Sequence, residues 1–136
     1  LIENATGKGI KVINEVGVAF AHSKVIEEEI FIERIKMQSK KFLEAGSWKI
    51  LLESEGLTEN LDKKNYRWNI IDKIISPLEL NQFMVEADDQ DVLSKYIEIY
   101  GPGINMMVDY SRVLKMEDAR LGYGPSQSLW GKVVKY

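Results

Sequence analysis

Four acidic residues stand just past, or at the end of, four short apolar runs, and this spacing holds most of the chemistry legible in the sequence. The runs at residues 10–13, 50–52, 83–85 and 104–108 lead into Asn14-Glu15-Val16-Gly17, Glu53-Ser54-Glu55-Gly56, Glu86-Ala87-Asp88-Asp89 and Asp109-Tyr110-Ser111. If the runs are parallel strands, their C-termini lie at one end. Glu15, Glu53, Glu86 and Asp109 then converge on the rim where barrels and open α/β sheets build their active sites. Four carboxylates drawn together repel one another, and uncompensated they cost on the order of several kcal/mol. A hard divalent cation with oxygen ligands, Mg²⁺ by default, would compensate them and would hold an anionic substrate while stabilising charge that develops on it. Lys and Arg from the loops would serve the same purpose without a metal. A plainer use is also open: Asp88, Asp89 and Ser111 are placed to cap helices, and acids near helix N-termini are favoured by the dipole.

The remaining polar candidates are fewer. His22 is the one imidazole of the chain and is a candidate general acid or base, or simply an exposed loop histidine. Arg34, Lys63, Lys64, Arg67, Arg112 and Arg120 are available to bind anions, with Arg112 and Arg120 nearest in sequence to Asp109. Gly7-Lys8-Gly9 lacks both the length of a P-loop and a strand before it, so it reads as a turn. Gly101-Pro102-Gly103 reads as a connection into the fourth strand. Trp48, Trp68 and Trp130 are expected as core or interface anchors.

The elements that must position these residues follow from periodicity. Strands are expected near residues 10–15, 49–54, 82–87 and 104–109. Their apolar residues are consecutive rather than alternating, as in strands buried on both faces of a parallel sheet. Between them, residues 27–45 place Ile32, Ile35, Ser39 and Phe42 on one helical face and end at Gly46. Residues 66–75 carry Ile71, Ile74 and Ile75 and stop at Ser76-Pro77. A third helix, capped by Asp88 or Asp89, carries Val92, Leu93, Tyr96 and Ile97 up to Gly101-Pro102; a fourth, capped by Ser111, runs to Leu121 and Gly122. The alternation of strand and helix predicts an α/β chain of parallel (β/α) units. Residues 18–26 form the least regular stretch, and residues 124–136 read as a tail packed across one end.

Composition narrows the classes. With 136 residues, 18 Lys plus Arg against 21 Asp plus Glu, and a net charge of −3, the chain suits one soluble domain and lacks the basic face expected of a nucleic-acid or anionic-membrane binder. The absence of cysteine removes disulfides, thiol catalysis and Cys-containing metal sites. A single histidine removes two-His metal sites. No apolar run reaches the roughly 18 residues of a membrane span, and the N-terminus is not a signal sequence, so a cytoplasmic location is expected.

Five segments then point to a family. Lys11-Val12-Ile13-Asn14-Glu15-Val16-Gly17, Phe42-Leu43-Glu44-Ala45-Gly46, Phe83-Met84-Val85-Glu86-Ala87, Tyr100-Gly101-Pro102-Gly103-Ile104-Asn105 and Leu114-Lys115-Met116-Glu117-Asp118-Ala119-Arg120-Leu121-Gly122 occur in this order. Together they resemble the C-terminal half of phosphosulfolactate synthases. The resemblance implies a (β/α)8 TIM-like barrel that adds sulfite to phosphoenolpyruvate in an Mg²⁺-dependent step of coenzyme M biosynthesis, with Glu15, Glu53 and Glu86 as carried-over metal positions. The sequence departs from that pattern in three places. Val18 and Ala19 stand where the synthases carry Lys, Glu55 stands where they carry Arg, and Asp88 stands where they carry Pro. Asp109-Tyr110-Ser111 is closer to the branch that includes plant heat-stress-associated proteins.

Two functions are therefore expected. In one, the protein is a lyase acting on a small anionic substrate, with Glu15, Glu53, Glu86 and Asp109 on Mg²⁺ and with His22, Arg112 and Arg120 as catalytic groups. In the other, it is a non-catalytic barrel relative that acts in heat-stress tolerance through protein contacts. A barrel of this type needs about 200–250 residues, and four strand–helix pairs would leave two bare edges. Either preceding strands belong to a longer chain, as the initial Leu1 suggests, or two copies complete each other as a homo-oligomer.

Overall fold

The computed structural model describes residues 1–17, 27–124 and 126–132. The chain divides into two compact units, Leu1–Met84 and Val85–Tyr136. In both, parallel strands alternate with helices, which places the protein in the α/β class.

In the first unit a short helix α1 (Ile2–Thr6) precedes β1 (Ile13–Val16), α2 (Glu28–Glu44), β2 (Lys49–Leu52) and α3 (Trp68–Ile75), with 3-10 turns over Lys63–Asn65 and Leu80–Gln82. Strands β1 and β2 are parallel, with Ile13 opposite Lys49 and Val16 opposite Leu52. Helix α2 forms where its periodicity predicts it and buries Phe31, Ile32, Ile35 and Ser39. It ends at Gly46, whose φ of +99° is open to glycine. A Cβ there would lie 3.3 Å from Thr6 Oγ1, so the same glycine also admits α1. Glu28 in the first turn of α2 accepts from Lys73 Nζ at 3.0 Å and from Asn69 Nδ2 at 3.3 Å on α3. The pair is half-exposed and contributes little by itself. The contact is carried instead by Ile70, Ile71, Ile74 and Ile75 of α3, all of them buried. Helix α3 starts two residues later than the apolar spacing predicts. The Arg67 amide donates to the Leu57 carbonyl at 2.9 Å, so the approach is held in a non-helical conformation.

Burial of the strands differs from expectation in an instructive way. All four residues of β2 are buried, as consecutive apolar residues predict, but β1 buries only Val16 and leaves Ile13 and Glu15 exposed. Among the described residues β1 is paired on one side only, by β2. One of its faces packs beneath α2 and the other does not.

The second unit continues β3 (Phe83–Glu86) into α4 (Gln90–Tyr100), β4 (Met106–Met107), a 3-10 turn over Tyr110–Arg112, α5 (Val113–Arg120) and a 3-10 turn over Gln127–Leu129. Strands β3 and β4 are parallel, pairing Val85 with Met106 and Glu86 with Met107. Helix α4 buries the four residues its pattern predicts, Val92, Leu93, Tyr96 and Ile97. Its cap is Asp89, whose Oδ1 accepts from the Val92 amide at 2.8 Å. Removing that acceptor in Asp89→Ala is expected to cost about 1 kcal/mol, read as a lower denaturant midpoint at unchanged m-value.

Three expectations require correction. Ser111 does not cap the last helix: Asp109 Oδ1 accepts from the Ser111 amide at 2.9 Å and organises a 3-10 turn, after which α5 begins at Val113. A carboxylate reaches the backbone amide two residues on, and this Asx geometry outcompetes a serine cap further along. Strand β4 is two residues long, not six, because its pairing with β3 spans only that length. The tryptophans are not core anchors either. Trp48 and Trp130 are 45% and 58% exposed, and Trp68 is half-buried with its ring edge toward Tyr66. The core is aliphatic, with Phe31, Phe83 and Tyr96 as its large rings. Among the described residues no helix is long and apolar enough to cross a membrane.

Candidate functional site

The C-terminal ends of β1 and β2 meet at one point. The Glu53 amide donates to the Val16 carbonyl at 3.0 Å, and the chain then turns at Gly17 with φ +118°. A Cβ built on Gly17 would lie 3.2 Å from Glu53 Cβ and 3.4 Å from Glu53 N. The Glu-Val-Gly segment thus has a physical rationale. Glycine supplies a backbone angle that L-residues avoid and leaves the space that the half-buried Glu53 occupies. Glu15 lies on the same stretch of β1, exposed, opposite Leu51.

Past Glu53 the chain closes into a tight loop around Ser54. The Ser54 carbonyl accepts from the amides of Leu57, Thr58 and Glu59 at 2.9, 2.9 and 3.0 Å. Its hydroxyl donates to Glu59 Oε2 at 3.0 Å. Ser54, Leu57 and Thr58 are buried, and Glu55 makes a bridge pairing with Glu59. The segment that distinguishes this chain from the synthase pattern is therefore a built, self-bonded loop. Sequence reasoning missed this role of Ser54 and Glu59. The signal was present as a small polar residue followed by Gly56 and a buried leucine, which is turn chemistry rather than site chemistry.

In the second unit Glu86 closes β3, half-buried, with Asp88 and the capping Asp89 two and three residues on. Burial first of all, then the Tyr100, Asp88 and Glu86 charges, push the Tyr96 hydroxyl far above its ordinary range. Asp109 is exposed at the exit of β4. Its hydrogen bonds to Ser111, with a smaller contribution from the Arg112 charge, hold its carboxyl below the usual carboxylate range. Arg112 is half-buried beside it, and its amide donates to the Asp109 carbonyl at 2.8 Å. Arg120 is tied down: NH1 donates to Glu117 Oε1 at 3.0 Å and NH2 to the Ile104 carbonyl at 2.8 Å. It clamps α5 to the segment entering β4. His22 lies outside the described residues.

The four carboxylates are thus brought to strand ends as the sequence predicts, Glu15 and Glu53 in one unit, Glu86 and Asp109 in the other. They are hard oxygen donors of the kind Mg²⁺ takes. Yet among the described residues no three His, Asp or Glu side chains gather closely enough to hold an ion, so these acids as placed do not form a finished metal centre. A cavity of about 540 Å³ opens between α2 and α3, lined by Glu29, Ile32, Lys36, Asp72 and Ser76 among others; none of the candidate site residues borders it.

Comparison with known proteins agrees with the five segments and with the folded pattern. The chain is 31% identical over 93 residues to Protein HEAT-STRESS-ASSOCIATED 32 of Arabidopsis thaliana, an alignment covering 66% of this chain and 32% of that protein. The chain thus spans about a third of the length of the curated relative it matches. The family model described as (2R)-phospho-3-sulfolactate synthase (ComA) matches residues 1–124. The parallel (β/α) units seen here are those of a TIM-like barrel, the fold of that family. With the match covering nearly the whole chain, the protein belongs to the (2R)-phospho-3-sulfolactate synthase family.

Proposed function

We propose that the protein is a phosphosulfolactate-synthase-like lyase that adds sulfite, or a related nucleophile, to phosphoenolpyruvate or a similar small anion. The family match over residues 1–124 carries this reading. The acids at strand C-termini support it, since that end of a (β/α) unit is where such folds place chemistry. In the proposal Glu15 and Glu53, at the C-terminal ends of β1 and β2, would be among the ligands of Mg²⁺. A bound Mg²⁺ would supply positive charge against an anionic substrate. Arg112, beside Asp109, is the cation for the substrate anion, and His22 the group that exchanges a proton. Arg120 already uses both terminal nitrogens, so it acts as a positioning residue that fixes the entry to β4.

Calorimetric titration of the purified protein with Mg²⁺ tests the ligand assignment. Saturable binding that Glu53→Gln weakens at least about tenfold is expected, since a carboxylate–cation contact in a partly desolvated site is worth that much. No heat at millimolar Mg²⁺ counts against it. Incubation with phosphoenolpyruvate and sulfite then tests the reaction by following consumption of sulfite. Glu55 stands where an anion would meet an arginine in the synthases, so turnover should be slow, and Glu55→Arg should raise it.

The relation to the heat-stress-associated protein, together with the acidic loop at Glu55, favours a second reading. In it the chain acts in heat-stress tolerance through protein contacts, without turnover. Loss of heat tolerance on deletion, restored in full by Glu53→Gln, would select this reading over the first.

A further inference from the structure

Helix α5 turns its larger apolar side chains outward. Its packed face holds the half-buried Arg112, Met116 and Arg120 around Ala119, the one buried residue of the helix. On the opposite face Tyr110, Leu114 and Leu121 recur at intervals of four and seven residues, which aligns them along one side of a helix. They are 89%, 80% and 38% exposed, with Val113 flanking them at 43%. Apart from Leu1, no large apolar residue among those described is as open as Tyr110 and Leu114. Single exposed apolar residues are ordinary, but an aligned set on one short helix marks a contact surface.

The charges of the same helix identify what covers it. Lys115 lies in the first turn of α5 and Asp118 in the last, both exposed, and no acid stands in the first turn. This order opposes the helix dipole, which favours acids at the N-terminus and bases at the C-terminus. A lysine N-terminal to its acid is also the weaker orientation for a pair within one helix. Among the described residues neither side chain has an ion-pair or hydrogen-bond partner, whereas Glu117 is paired with Arg120 at 3.0 Å. What is unfavourable within one helix becomes favourable between two that run antiparallel. About a two-fold axis between positions 116 and 117, Lys115 of each copy meets the partner's Asp118, and the two dipoles oppose each other.

We propose that the exposed face of α5 is a homodimer interface, in which the α5 helices of two copies pack antiparallel, with Lys115 against the partner's Asp118 and with Tyr110 and Leu114 covered. The surface lies within one unit and uses neither Glu15 nor Glu53, so it stands or falls independently of the lyase reading. The helix has only eight residues, so the contact is smaller than the roughly 800 Å² per partner of a standard interface, and a dissociation constant of about 10 μM is expected.

Sedimentation equilibrium of the purified protein from about 1 to about 100 μM tests this. A monomer–dimer equilibrium is expected. Leu114→Glu leaves the fold of one copy unaffected, since the position is exposed, and should weaken dimerisation at least about tenfold. Lys115→Asp and Asp118→Lys should each weaken self-association, because each sets like charge against like charge twice over. An equimolar mixture of these two variants should dimerise again, as a heterodimer. That rescue requires the antiparallel pairing and cannot arise from a folding defect in either variant. A monomer throughout the range, a dimer unaffected by Leu114→Glu, or a mixture that associates no better than either variant alone would overturn the proposal.

Discussion

Gly17→Ala is expected to destabilise the protein by about 2–4 kcal/mol, against about 1 kcal/mol for Gly9→Ala. Both glycines have positive φ, +118° and +76°, so both alanines are strained. They differ in their surroundings. Nothing lies within 4 Å of a Cβ at Gly9, whereas at Gly17 the Cβ would stand 3.2 Å from Glu53 Cβ and 3.4 Å from Glu53 N. Neither neighbour can retreat easily. Glu53 N is held by its bond to the Val16 carbonyl, and Glu53 Cβ sits between that bond and the self-bonded loop at Ser54. The alanine must therefore push the end of β1 away from β2, and the difference between the two variants isolates that crowding from backbone strain. Urea unfolding of both variants measures it; equal losses would show that Gly17 is there for its φ alone. The same displacement moves Glu53, so Gly17→Ala should weaken any Mg²⁺ binding along with stability, while Gly9→Ala should leave it unchanged.

Above pH 10, stability should fall by about 1.4 kcal/mol per pH unit from Tyr96 alone. Its hydroxyl is buried in α4, and its pKa is raised from 10.0, first by desolvation and then by the Tyr100, Asp88 and Glu86 charges. In the unfolded chain the phenol ionises near pH 10, whereas in the folded protein it stays protonated well beyond. The unfolded state then binds fewer protons, so stability is fully present below pH 10 and is lost as pH rises from there toward the folded pKa. Tyr96→Phe cannot ionise, and its stability should decline with pH by one proton less. Denaturant midpoints from pH 9 to pH 11.5 would show this; parallel pH dependence in both proteins would mean that Tyr96 is not held in its neutral form. Asp109 gives the opposite sign at the acid end. Its lowered pKa makes its contribution present above the unfolded value and lost as pH falls through the folded one. Being fully exposed, it moves stability little.

Much of the site was legible because it is local in sequence. A carboxylate that follows an apolar run must lie at a strand's end once the run is a strand, which is where Glu53 and Glu86 stand. Helices α2 and α4 were equally legible, since a 3.6-residue repeat of Ile, Leu and Val admits few other structures. Lys49 was not. Its charge argued for exposure, and only the packing of Trp48, Asn81 and the strand entrances shows it buried. For Arg120 the sequence shows nearness to Asp109, and only the fold shows its guanidinium bonded to Glu117 and the Ile104 carbonyl.

The sequence by itself determined the class of the protein, its parallel (β/α) units, the strand-end acids and the family, because each rests on periodicity or on contiguous residues. Tertiary structure alone decided which acids touch anything and what they touch. It put Gly17 against Glu53, folded Ser54 to Glu59 into a loop, and replaced Ser111 by Asp109 as the organiser of the last turn. It also set the ammoniums of Lys11 and Lys49 beside the Trp48 ring. Distances between segments far apart in the chain are set by packing, and charge compensation depends on those distances, so neither can be read from residue types and spacing.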